Sequence, residues 1–155
     1  MPQPDNSVID ALQRAASLHL TAIENYQAQQ AHFDRWGYPK LAEQAAADAE
    51  EERGHVREVL GRLEYYDAQA TYDHAAPSWP RHDYEGILAA NMALEEMAAA
   101  AEKAGVLACR AVGDERSALV FADLLEGSEK SIKEIEATQR VIEQIGLDNY
   151  LSTKV

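Results

Sequence analysis

The sequence holds one cysteine, Cys109. No internal disulfide is possible, and a lone thiol fits a reducing compartment. Aromatic residues make up only 7% of the chain, and β-branched residues are sparse, which argues against an all-β fold. Positive charge is scarce as well: 14 Lys and Arg face 27 Asp and Glu, for a net charge of −13. A nucleic-acid partner needs a basic footprint and is not expected. An acidic surface favours solubility and attracts cations. No apolar run is long enough to span a bilayer, so no membrane partner is expected. The opening MPQPDNSVID lacks the basic start and apolar run of a signal peptide, and a cytoplasmic protein is expected.

The 155 residues present suggest one domain with a real core, and 46% of them are hydrophobic, with alanine prominent. The apolar positions recur at helical spacing in four long stripes. Ser7 can cap a first helix, with Asp10 as its partner, and the stripe runs Leu12, Ala16, His19, Ile23, Tyr26 and Phe33. Gly37-Tyr38-Pro39 breaks it. The second stripe is Leu41, Ala45, Asp48, Glu52, His55, Val59 and Tyr66. From Asp67 to His82 there is no periodicity, and Pro77 and Pro80 interrupt. After Asp83 a third stripe runs Leu88, Asn91, Glu95, Ala98, Glu102, Val106 and Cys109. Gly113-Asp114 makes the next break, Asp114 being a good N-cap. The fourth stripe is Phe121, Leu124, Ser128, Ser131, Ile135, Thr138, Ile142 and Ile145, stopped by Gly146. The tail LDNYLSTKV has room for a short terminal helix.

Helices of about 30 residues are roughly 45 Å long. The tight breaks make the first pair antiparallel, and likewise the second pair. The 16-residue connection from Asp67 to His82 can reach about 53 Å when extended, enough to travel the length of a bundle. That favours a crossover that leaves helices two and three parallel.

Spacing from the two breaks reveals a pseudo-repeat. His19 lies 18 residues before Gly37, and Glu52 and His55 lie 15 and 18 after it. Glu95 lies 18 residues before Gly113, and Ser128 and Ser131 lie 15 and 18 after it. Equal offsets on antiparallel helices fall at equal heights, so all six are expected in one layer. Two-metal bundle sites take a Glu from each of two helices and a Glu-x-x-His from each of the other two. Here Glu52 and His55 form one such pair, and serines occupy the place of the other. Glu126 and Glu129 share the spacing, but Glu129 sits about 100° around the helix from Ser128, off the inward stripe.

The hairpin RWGYPKLAE (Arg35–Glu43), the run EERGH (Glu51–His55), ALEE (Ala93–Glu96) and the ending IGLDNYL (Ile145–Leu151) resemble the bacterioferritin family over nearly the whole chain. The resemblance implies a ferritin-like four-helix bundle, all-α, with a long crossover between helices two and three and a short C-terminal helix. It implies a homo-oligomer, as a hollow 24-subunit shell or mixed with catalytic subunits. Members oxidise ferrous iron at a di-iron centre, store ferric mineral, and commonly bind haem through a methionine. Glu52, His55 and Glu95 match family ligands, and Tyr26 matches a tyrosine beside the centre. His19 stands where a carboxylate is expected. Ser128 and Ser131 stand where the second bridging Glu and second His are expected. The haem methionine position holds Arg53, while Met92 and Met97 fall elsewhere, so haem through the usual ligand is not expected.

The departures matter chemically. Two ferrous ions repel, bridging carboxylates hold them together, and serine hydroxyls are poor iron ligands. The metal set left is His19, Glu52, His55 and Glu95, which suits one divalent ion of iron, zinc, manganese or cobalt. The first functional expectation is an iron-storage subunit with a weakened ferroxidase centre. Alternatives are a non-catalytic mononuclear metal-binding protein, and an oxygenase using a cavity left by Ala98, Ser128 and Ser131. A metal-free His–Glu network is the bland rival, since satisfied polar clusters persist in cores.

Overall fold

The computed structural model describes residues 5–73 and 78–155. The opening MPQP and Pro77 therefore lie outside the described residues. Five helices follow one another: α1 (Asn6–Trp36), α2 (Pro39–Tyr65), α3 (Tyr84–Ala111), α4 (Glu115–Ile145) and α5 (Leu147–Ser152). Among the described residues there is no strand. Nor, among those residues, is any helix long and apolar enough to cross a membrane.

The breaks are chemical. Gly37, at φ 99°, lies in the left-handed region. Its geometry lets the Tyr38 amide reach back to the Phe33 carbonyl at 2.9 Å, satisfying an end-of-helix acceptor. Pro39 then opens α2 at a position that needs no amide donor. Asp83 and Asp114 cap α3 and α4, accepting from the amides of Gly86 and Ser117. Ser7 is not the first cap: Asp5 accepts from the Ser7 amide at 2.8 Å, and α1 begins two residues earlier than a Ser7 cap would place it. The aspartate two residues upstream already satisfies that donor.

Pairings across the bundle fix the topology. His19 meets Glu102, Tyr26 meets Glu95, and Gln29 meets Asn91, so α1 and α3 are antiparallel. Arg62 meets Ser117 while Lys130 meets Glu51, so α2 and α4 are antiparallel too. With α1 and α2 a tight hairpin, α2 and α3 run parallel. The crossover is pinned along α1. Gln13 holds the backbone of Gln69 and Thr71, Ser17 accepts from the Asp73 amide, and His32 accepts from the His82 amide. From Gln13 to His32 the chain climbs about 28 Å of helix. Trp36 and Trp79 anchor its far end, both rings lying against His32.

The core is divided. One apolar end gathers Leu12, Val59, Leu63, Phe121 and Leu124. The other gathers Phe33, Leu41, Ile87, Leu88 and Ile142, closed by Leu151 of α5. Between them lies a layer of buried polar groups: His19, Glu52, Glu95, Glu102 and Ser128. Ile145, read as an inward residue, is 43% exposed, because Gly146 turns the chain at that point and the stripe has run past the bundle's end.

Candidate metal centre

Each residue of the polar layer comes from a different turn of a long helix, so its position is set by packing at both ends. His19 of α1 is 2% exposed, with both ring nitrogens engaged. Its Nδ1 donates to Glu52 Oε2 at 2.5 Å. Its Nε2 lies 2.9 Å from Glu102 Oε1, an ion-pair separation, but off the direction of a hydrogen bond. His55 Nδ1 donates to the same Glu52 Oε2 at 3.2 Å. The two imidazoles stand edge to face with ring centres 5.1 Å apart.

His19, Glu52 and His55 thus converge: their ligand atoms lie within 4.8 Å of one another. Glu95 is not in that group. Its Oε1 accepts the Tyr26 hydroxyl at 2.8 Å. Ser128 is buried as the stripe requires, but its hydroxyl donates to Glu102 Oε1 at 3.1 Å. Ser131 faces a cavity instead, one lined also by Tyr26 and Asp48. Ala98 and Ser128 do not line it. Glu126 and Glu129 are exposed on an unbroken α4, so that pair does not turn inward.

Glu102 is the buried group that the hairpin arithmetic passes over. It stands seven residues after Glu95, on the same face of α3, and is the charged member of the inward stripe between Ala98 and Val106. That signal was in the stripe itself. Gly127 does not interrupt α4. A Cβ there would lie 2.9 Å from His55 Cε1, so the bare backbone of α4 forms the wall against which the imidazole rests.

The electrostatics follow from burial and pairing. Burial alone would lower the pKa of His19, but the carboxylates of Glu102 and Glu52 on its two edges outweigh it and raise it to about 10. Burial alone would raise Glu52, but hydrogen bonds from His19 and His55 hold it well below the usual carboxylate range. Glu95 is pushed up to about 8, first by burial and then by the Glu52 charge. Tyr26 is pushed well above its ordinary value by burial and the adjacent Glu95. At neutral pH the layer therefore holds an imidazolium at His19, a carboxylate at Glu52 and a protonated Glu95.

The donor set fits a divalent transition ion. Two imidazoles and a carboxylate are ordinary ligands, at bonds of about 2.0–2.2 Å. Glu102 Oε2 is buried and has no hydrogen-bond partner, as an additional donor would. Binding would require His19 to lose a proton, so protons and metal compete for this layer.

The ferritin-like domain family model matches residues 9–145. The bacterioferritin of Mycobacterium avium is 24% identical over 148 residues, spanning 96% of this chain and 93% of that protein. The bacterioferritin of Brucella melitensis is 26% identical over 143 residues, 92% of this chain and 89% of that one. The bacterioferritin of Streptomyces coelicolor is 28% identical over 153 residues, 99% and 92% respectively. With four long helices, a crossover along α1 and a buried His–Glu layer at mid-bundle, the chain belongs to the ferritin-like domain family, and these bacterioferritins are among its relatives.

Proposed function

We propose that the chain is an iron-storage subunit of bacterioferritin type whose mid-bundle centre takes one divalent ion. His19, Glu52 and His55 supply its ligands, with Glu95 and Glu102 able to add carboxylates. The observation that carries this is the convergence of both imidazole Nδ1 atoms on one oxygen of Glu52 in a buried layer. Iron is the expected ion, given the relatives; zinc and manganese suit the same donors. The second pair of ligands is replaced by Ser128 and Ser131, so paired-iron oxidation is weakened. Where ferroxidase activity persists, ferrous iron at this centre gives up an electron to oxygen or peroxide. Haem is not part of the proposal, because Arg53 occupies the methionine position. The subunit assembles with copies of itself, as a 24-subunit shell or together with catalytic subunits, in the cytoplasm.

A second reading has its own observation. His19 lies between Glu52 and Glu102 and pairs with both without any metal. On that reading the layer is a structural ion network and the subunit is shell wall.

Metal titration of the chelator-treated chain decides. One ferrous or zinc ion per chain, lost in His19→Ala and His55→Ala, supports the centre. Two ions per chain would overturn the single-ion assignment, and none would leave the structural network. Size-exclusion chromatography separates a shell from a dimer.

A further inference from the structure

A cavity of about 390 Å³ opens between the polar layer and the apolar end that α5 closes. This is within the range of small-molecule sites, about 300–1,000 Å³. Tyr26 and Ser131 lie at its end nearest the centre, and Tyr150 and Lys154 of the chain's last turns lie at the other. The walls differ in character. Phe33, Leu41, Ile87, Leu88 and Ile135 give an apolar side. Asp48 of α2 and Glu134 of α4 give an acidic one.

The charges around this space are unequally satisfied. Lys40 donates to the Thr153 carbonyl, and the Lys154 ammonium sits over the Tyr150 ring at 4.9 Å. Both cations are thus held by the chain's own C-terminal turns. Asp48 accepts from Gln44 and forms no ion pair among the described residues. Glu134 forms none there either, and it is near enough for its charge to act on Asp48. Asn91 and Gln29 satisfy each other through reciprocal amide bonds. The charge left without a counter-ion among the described residues is therefore anionic, with Asp48 half-buried and Glu134 exposed, and it faces an apolar wall across a cavity large enough for an organic molecule. A hydrated metal ion would use the carboxylates and waste the wall. A fatty acid would use the wall and meet two carboxylates.

We propose that this cavity is a binding site for a small amine with an apolar body, its ammonium set between Asp48 and Glu134 and its hydrocarbon against Leu41, Ile87 and Ile135. The site needs no metal in the polar layer, so it stands or falls apart from the single-ion reading.

The test uses the full chain, stripped with chelator, and four probes: hexylamine, hexanol, hexanoate and methylamine. Binding is followed by calorimetry. Hexylamine binds saturably at one molecule per chain, more tightly than hexanol, and hexanoate does not bind. Methylamine carries the charge without the body and registers attraction to the acidic surface alone. Asp48→Asn weakens hexylamine by about tenfold, the loss of one charge-assisted hydrogen bond, and leaves hexanol unchanged. Thr138→Trp, which fills the apolar side, removes both. Equal binding of hexylamine and methylamine, equal binding of amine and alcohol, no effect in either variant, or no saturable binding of hexylamine at all would each overturn the proposal.

Discussion

Glu102 stands 2.9 Å from Nε2 of His19, on the side of the ring opposite Glu52. The imidazole is thereby enclosed by carboxylates at both edges, and this pairing from α3 helps keep it charged inside the bundle. Removing one partner of a buried ion pair leaves the other uncompensated, at about 3–5 kcal/mol. Glu102→Gln should therefore destabilise the metal-free chain by about 3 kcal/mol in chemical unfolding. The His19 ring, followed by NMR, should titrate at lower pH than in the parent. Unchanged stability and an unchanged titration would show that Glu102 does not hold the histidine.

The fold was largely legible because its signals are local. Gly37 before Pro39, Asp83 and Asp114 as caps, and Gly146 as a stop each act within a few residues. The length of the connection after Asp67 was enough to suggest the crossover. The site was legible only in part. Equal offsets from a hairpin place His19 beside Glu52 and His55 correctly, since α1 and α2 share one turn. They do not set α3 against α1, because those helices share no turn and their heights depend on the crossover and on side-chain packing. Hence the spacing singled out Glu95 and left Glu102, seven residues along the same face, without a role. The packing gives Glu102 to His19 and Glu95 to Tyr26.

The pH dependence of the metal-free chain has a definite sign. His19 has a folded pKa near 10 against 6.5 unfolded, so its contribution is full below pH 6.5 and is lost as pH rises through 10. Glu95, at about 8 against 4.5, favours the proton in the folded state, and its contribution likewise declines between those values. Glu52 is shifted the other way by its histidines, and it costs stability only as pH falls below its unfolded value of 4.5. Unfolding by urea should thus show stability falling from about pH 5 to pH 10, by up to about 1.4 kcal/mol per pH unit per group. Glu95→Gln keeps an acceptor for the Tyr26 hydroxyl and removes the titration. It should make the curve shallower below pH 6.5, where Asp48, raised by burial to about 6, still contributes up to that pH, and leave the decline owed to His19. A parent curve that rises between pH 6.5 and 9 would contradict both assignments.

Replacing the serines of α4 should have opposite effects with and without metal. Ser128 now donates to Glu102, so Ser128→Glu sets a second buried carboxyl against the first. The stripped variant should lose on the order of 2 kcal/mol, because like charges in the core must be neutralised or separated. Ser131 borders open cavity, so Ser131→His has room. With ferrous iron added, the double variant Ser128→Glu and Ser131→His should oxidise it at least about tenfold faster than the parent, having recovered a second bridging ligand. Absorbance near the ultraviolet during aerobic ferrous addition measures this. No gain in rate, with the fold intact, would show that the register of α4 does not deliver these positions to the centre.

Gly127 separates metal geometry from stability. In a long helix, Gly to Ala is worth about 1 kcal/mol in favour of Ala. Here the added methyl would lie 2.9 Å from His55 Cε1, closer than side chains pack, and the flexible ring is the group able to move. Gly127→Ala should therefore leave unfolding stability equal to the parent or slightly above it. The displaced imidazole no longer reaches the point shared with His19 and Glu52, so zinc affinity should fall by about tenfold, the scale seen when a metal ligand is badly oriented. Competition with a chromophoric chelator measures the affinity, and thermal unfolding of the stripped chain measures the rest. If both quantities fall together, the clash is absorbed by the helices, and Gly127 is a packing residue with no special relation to His55.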